Sequence, residues 1–127
     1  MRLLLSLFAL GAVLLLADHD VRRPAAAAQR APATELLIFE HPQCTYCQVF
    51  REHVLPKYHI AARISAPPLR FVDVAKDDTD SLGLSGRIAT VPTAVVMRGG
   101  REVGRIEGYW SSANFFRMLA HILDEAG

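Results

Sequence analysis

The sequence predicts an α/β domain built on a central mixed four-stranded sheet flanked by helices. Three observations lead there. Apolar runs and helical-period stretches follow one another as strand, helix, strand, short helix, strand, strand, helix. The alternation in the first half requires a parallel crossover. Gly99-Gly100, set between two strand-like stretches, is a strong signal for an antiparallel hairpin near the end. A length of 127 residues favours one such domain.

The first residues are expected to direct export rather than to fold. Arg2 supplies a positive start, and Leu3 to Ala17 run apolar except for Ser6 and Gly11. That run matches a signal-peptide core and falls short of the roughly 20 residues of a spanning helix. Ala26-Ala27-Ala28 offers the small residues of a cleavage site, so residues 1–28 are read as a signal peptide. Asp18 to Pro24 make a long, charged approach to that site, and an uncleaved N-terminal anchor is the alternative. Both readings place the domain outside the cytoplasm. Residues 29–33 then form a linker, and 34–127 the folded domain.

Within the domain, Thr34 to Glu40 form an apolar run with polar ends, as a buried strand does. His41 to Thr45 break it with Pro42. From Tyr46, the residues Val49, Phe50, His53 and Val54 recur at helical spacing, and Pro56 is expected to bend or end that helix. Pro67-Pro68 close the next loop. Leu69 to Val74 read as a second strand, with Leu69, Phe71, Val72 and Val74 as its inward candidates. Lys76 to Arg87 are polar, with Leu82 and Leu84 as anchors for one short helix. Thr93 to Met97 and Arg101 to Ile106 are the hairpin strands. Ser111 or Ser112 caps a last helix whose apolar face comprises Phe115, Met118, Leu119 and Ile122.

The chain has only two cysteines, Cys44 and Cys47. A disulfide stabilises mainly by closing a long loop of the unfolded chain, and this loop is too short to contribute much. Reactivity explains the pair better. It sits where the first strand gives way to the first helix, and a helix start offers unpaired N–H groups and partial positive charge. A thiolate there has its pKa lowered from about 8.5 towards roughly 3.5–7.5. Cys44, at the start and outward, is the expected nucleophile. Cys47, one turn later and more buried, is expected to resolve the mixed disulfide. The alternative is half a zinc site with His41, His53 or His59. The last two lie along the predicted helix, and no second ligand pair has finger spacing, so no metal is assigned.

A second element is Thr90-Val91-Pro92-Thr93, where a proline opens a buried strand. A cis bond there would turn the backbone groups of Val91 outward. With strand, Cys-x-x-Cys, helix and this later proline, the chain resembles the thioredoxin family, from about Glu35 to Ala126. The resemblance implies a thioredoxin-like fold in which Pro92 is cis and packs beside the redox pair, while Val91 pairs with substrate backbone. One subgroup is closer. Phe39-Glu40-x-x-x-Cys44-x-Tyr46-Cys47, Leu55-Pro56-x-Tyr58 and Pro68-Leu69-Arg70-x-Val72-Asp73 look like the SoxS-type thioredoxins of bacterial sulfur-oxidation operons. That likeness implies a periplasmic protein that keeps a sulfur-oxidation protein reduced.

Two departures from the family pattern bear on chemistry. Ile38 stands where thioredoxins carry a buried acid, so Glu40, or a water, becomes the candidate proton relay for Cys47. Thr45-Tyr46 stands between the cysteines, with no imidazole or proline beside Cys44, which favours a reductant or isomerase over a strong oxidant. Tyr46 either shapes the substrate surface or covers the helix start. Gly108-Tyr109-Trp110 either lines the groove near Pro92 or, the preferred reading, seats the last helix through Trp110. His41 is read as a solvated loop histidine that could otherwise tune Cys44. Arg98, Arg101 and Arg105 are read as a solvated face.

Removing residues 1–28 takes away Arg2, Arg22, Arg23, Asp18 and Asp20 and leaves a domain of zero formal charge. Such a domain has no electrostatic reason to seek nucleic acid or anionic lipid. The expected activity is protein thiol–disulfide exchange by a monomer without metal or organic cofactor. Its partners would be a protein disulfide or thiol substrate and a membrane or periplasmic thiol donor of electrons. A disulfide-donating oxidant or isomerase, and a redox-switched binding module without turnover, are the rival readings.

Overall fold

The computed structural model describes residues 34–126. The expected signal segment 1–28 and linker 29–33 lie outside the described residues. Strand β1, Thr34–Glu40, matches its predicted bounds, and Leu36, Leu37, Ile38 and Phe39 are all buried. Four successive buried residues mean that both faces of the strand are covered, as a central position requires. It is followed by α1 (Thr45–Ala62), β2 (Leu69–Asp73), a 3₁₀ turn at Asp80–Leu82, β3 (Thr93–Arg98), β4 (Arg101–Glu107) and α2 (Ser112–Glu125).

The strands lie in the order β2-β1-β3-β4. β1 runs parallel to β2, pairing Ile38 with Phe71, and antiparallel to β3, pairing Leu37 with Val95. The β3–β4 hairpin turns at Gly99 and Gly100, whose φ values of 56° and 77° need residues without a Cβ. A register shift between Val96 and Met97 sets Gly104 opposite Val96. A side chain at Gly104 would run into Ile122 of α2, so the glycine lets that helix lie close to the sheet.

Alternation along β1 and β3 divides the core in two. Leu36, Ile38, Ala94 and Val96 pack against Phe50, Val54 and Tyr58 of α1 and Phe115 and Leu119 of α2. Leu37, Phe39, Val72, Val95 and Met97 face the other way, under Val74, Leu82, Leu84, Ile88 and Val91. Among the described residues both α-helices therefore cover one face, while the segment from Val74 to Val91 covers the opposite one. The inward candidates of β2 divide likewise: Leu69 and Phe71 join the helical side, Val72 and Val74 the other.

Three expectations about the elements need correction. α1 does not end at Pro56 but continues to Ala62. A proline inside a helix costs about 3 kcal/mol. Val54 before it and Tyr58 after it are both buried, and the Tyr58 hydroxyl donates to the Pro67 carbonyl, so tertiary packing carries the helix through. The buried stripe is Cys47, Phe50, Val54 and Tyr58, which leaves Val49 and His53 towards the surface. On α2, Met118 is 37% exposed, and Phe116 and Leu123 pack on the core instead. Arg105 is not a solvated arginine. It pairs with Glu102, approaches Glu107, and donates to the carbonyls of Gly86 and Arg87, fastening that loop to β4.

Candidate functional site

The site is made by the end of β1. After Glu40 the chain turns through His41-Pro42-Gln43, with the Cys44 N–H donating to the His41 carbonyl at 3.0 Å. The His41 ring stays local, where Nδ1 accepts from the Gln43 N–H at 3.2 Å. Cys44 then takes the N-cap position of α1, with extended backbone at φ −88° and ψ 107°. Serine, threonine, aspartate or asparagine usually fills this place and accepts from a free N–H of the first turn. Here sulfur does so: the Cys47 N–H donates to Cys44 Sγ at 3.1 Å. The first turn carries no acidic residue to compete for the positive helix end.

Cys44 and Cys47 are joined by a disulfide, with their Cα atoms 5.2 Å apart, inside the usual range of about 4.4–6.8 Å. The two sulfurs differ in surroundings. Cys44 is half-buried, whereas Cys47 is only 3% exposed and packs inward as the first residue of the α1 stripe. An incoming sulfur therefore meets Cys44 first.

The Thr90–Thr93 segment comes to the same place from 47 residues away. The Val91–Pro92 peptide bond is cis, Pro92 is buried, and the Val91 carbonyl oxygen lies 3.6 Å from Cys44 Sγ. Two bonds hold the segment: Thr93 Oγ1 donates to the Thr90 carbonyl, and the Gly108 N–H donates to the Pro92 carbonyl at 2.8 Å. The structure thus brings Cys44, Cys47, Val91 and Pro92 together. Tyr46 joins them from between the cysteines, with its side chain 66% exposed.

Glu40, at the end of β1, is held by an arginine of α1. Its two carboxylate oxygens accept the Nε and Nη2 bonds of Arg51, the former at 2.8 Å. The Arg51 guanidinium lies 3.5 Å from the centre of the Phe71 ring, and its bond to Glu40 raises its pKa further. Ile38, at the position of the missing acid, is buried in the helical-side core. The Arg51 clamp could not be read from the sequence, because Glu40, Arg51 and Phe71 belong to three different elements.

Trp110 corrects the other preference. It is 87% exposed and does not seat α2, which is capped by Ser111 accepting from the Asn114 N–H. With Tyr46, Val49, His53, Tyr109, Ser111 and Ser112 it lines a surface hollow of about 300 Å³ between the first turns of α1 and the start of α2. Among the described residues, no three His, Cys, Asp or Glu side chains converge on a metal-sized site.

A family model described as a thioredoxin-like domain matches residues 24–123. Among solved structures, the periplasmic thioredoxin SoxS from Paracoccus pantotrophus, in its reduced form, is 32% identical, with a TM-score of 0.68. The match covers 74% of this chain and 99% of that one. A Schistosoma mansoni thioredoxin (19% identity, TM-score 0.55, 74% and 82% of the two chains covered) shares the fold. So does a Fasciola hepatica thioredoxin (17%, 0.55, 72% and 83%). No curated protein matches the chain in sequence. The matched model spans most of the chain, and the SoxS structure is matched over nearly its whole length. The chain therefore belongs to the thioredoxin-like family.

Proposed function

We propose that this chain is a periplasmic protein thiol–disulfide oxidoreductase of the SoxS type, acting as a reductant that keeps the thiols of a partner protein reduced. The observation that carries this reading is the position of Cys44, a half-buried N-cap sulfur bonded to the Cys47 N–H and facing the Val91 carbonyl. In the reduced protein the Cys44 thiolate attacks one sulfur of a substrate disulfide. A mixed disulfide forms, and the other substrate sulfur leaves as a thiolate that takes up a proton. Cys47 loses its proton and attacks Cys44 Sγ, releasing the second substrate thiol. Two electrons pass to the substrate, and the protein is left with the Cys44–Cys47 disulfide. A periplasmic or membrane thiol protein then restores the dithiol.

Val91 and Pro92 would seat the substrate backbone beside Cys44, and Tyr46 would form part of the contact surface. A relay through Glu40 would require its carboxylate to leave Arg51, so the reading gives Glu40 a positioning part and routes the Cys47 proton through water. Periplasmic placement is supported by Arg2 with the apolar run from Leu3 to Ala17 and by the likeness to a periplasmic thioredoxin. No helix among the described residues is long and apolar enough to cross a membrane.

Trapping tests the reading. Cys47→Ala should accumulate mixed disulfides through Cys44 with periplasmic proteins, and Cys44→Ser should not. A purely redox-switched binding module would accumulate none. The potential of the pair tests direction: a value near about −270 mV fits a reductant, and one near about −120 mV an oxidant.

A further inference from the structure

We infer that the hollow bordered by the Gly83–Arg87 loop is a binding site for an aliphatic amino acid in its zwitterionic form. The hollow has a volume of about 440 Å³ and lies on the sheet face opposite both α-helices. That volume falls in the lower part of the roughly 300–1,000 Å³ range of small-molecule pockets, which suits a ligand of amino-acid size. None of Cys44, Cys47, Val91 or Pro92 lines it, so disulfide exchange leaves it unexplained.

Both walls are fixed. On one side, the Asp73 N–H donates to Asp77 Oδ2 at 2.8 Å and the Asp80 N–H to Asp78 Oδ1 at 3.0 Å, which sets the turn from Val74 to Asp80. On the other, the Glu102 N–H donates to the Gly83 carbonyl at 3.2 Å, and Glu102 Oε2 accepts from the Ser85 N–H. Arg105 completes this wall by donating to the carbonyls of Gly86 and Arg87. The Glu102 side chain that anchors the loop is only 5% exposed, and withdrawing a charge from water is costly. The fold thus shapes the hollow before any ligand arrives, which lowers the ordering cost of binding.

The lining selects the ligand. Val74, Leu84 and Ile88 are half-buried and pack on the core of that face, so they offer an apolar floor for an aliphatic side chain. Asp80 and Arg87 are exposed and line the same hollow, as does half-buried Thr79. Among the described residues, no hydrogen bond or ion pair engages these three side chains, and the two opposite charges do not pair with each other. A guanidinium forks onto a carboxylate, and a carboxylate accepts from an ammonium. An α-amino acid carries both groups on one carbon and directs its side chain away from them. A ligand with a single charge would match one of Asp80 and Arg87 and leave the other without a partner; a zwitterion matches both.

The test is a titration of the full-length, disulfide-bonded protein with leucine, followed by the amide resonances of a nitrogen-15-labelled sample. The amides of Val74, Leu84 and Ile88 should move together and saturably, with a dissociation constant of about 1 mM or tighter. Glycine, which lacks the aliphatic side chain, should bind about tenfold more weakly or worse. Leucine amide and N-acetyl-leucine each lose one charge, and each should weaken about tenfold, as should leucine on Asp80→Asn or Arg87→Gln. Arg101→Gln, at an exposed arginine outside the hollow, should leave the affinity unchanged. Urea midpoints at the wild-type value would show that the variants keep the fold. Absence of saturable shifts at Val74, Leu84 and Ile88 in the wild type would overturn the site. Equal binding of leucine and its two singly charged derivatives would overturn the zwitterion, as would an affinity that survives both Asp80→Asn and Arg87→Gln.

Discussion

Cys44 and Cys47 are linked twice, by their disulfide and by the Cys47 N–H that donates to Cys44 Sγ at 3.1 Å. The second link matters to the reduced protein, because it points a dipole at the sulfur that must carry negative charge. The Val91 carbonyl opposes it with its negative end at 3.6 Å. The amide is nearer and is backed by the partial positive charge of the α1 N-terminus. The balance favours the anion on Cys44.

Tyr58 anchors the second half of α1. Its hydroxyl donates to the Pro67 carbonyl inside the core, and burial pushes its pKa up to about 12. A raised folded value means that stability is full below the unfolded value near 10 and falls as pH rises from there through about 12. Tyr58→Phe leaves the Pro67 carbonyl without this donor and should cost about 1–2 kcal/mol at neutral pH. Urea midpoints should also fall less steeply between about pH 10 and 12 in this variant than in the wild type. Equal slopes would contradict the assignment.

The Glu40–Arg51 clamp joins the end of β1 to α1. Because Arg51 is partly exposed, solvent limits the ion pair to about 0.5–1 kcal/mol. The guanidinium over Phe71 adds about 0.5–1 kcal/mol. Arg51→Ala should therefore destabilise by about 1–2 kcal/mol in urea unfolding. Arg51→Lys should recover less than half, since an ammonium cannot bond both oxygens and stack on the ring. A wild-type midpoint for Arg51→Lys would show that the fork geometry contributes nothing.

Acid sensitivity should centre on Glu102. Hydrogen bonding from Arg105 is the largest cause holding its carboxyl below the usual range, and the Ser85 N–H, donating at 2.7 Å, adds to it. A lowered folded value gives stability that is present above about pH 4.3 and lost as pH falls through the folded value below that. Asp73, lowered chiefly by its bond from the Ala75 N–H, acts in the same direction. Glu102→Gln should cost about 1–3 kcal/mol at neutral pH and flatten the decline in melting temperature below about pH 4. An unchanged acid profile would exclude Glu102 as the sensor.

What the sequence revealed was what lies local in the chain. Strands β1 and β3 showed because each is an unbroken apolar run, and the hairpin because Gly99-Gly100 can adopt positive φ. Cys44 and Cys47 were legible from their spacing and their place before a helical pattern. Of the two outcomes expected at Pro56, the end of the helix did not come, because burial of Val54 and Tyr58 on either side outweighs the local rule. Trp110 misled because a tryptophan next to a helix start is ordinarily core, and nothing nearby announces that it stays in solvent. The partnerships of Glu40 with Arg51 and of Arg105 with the Gly86–Arg87 backbone join separate elements and exist only once the fold is made.

The most direct test of the redox account is the pH dependence of alkylation at Cys44 in the reduced protein, followed by mass spectrometry of the labelled peptide. The account predicts a midpoint within roughly 3.5–7.5, the range of thiols activated by a helix start. A midpoint near about 8.5, that of a free cysteine, would contradict it.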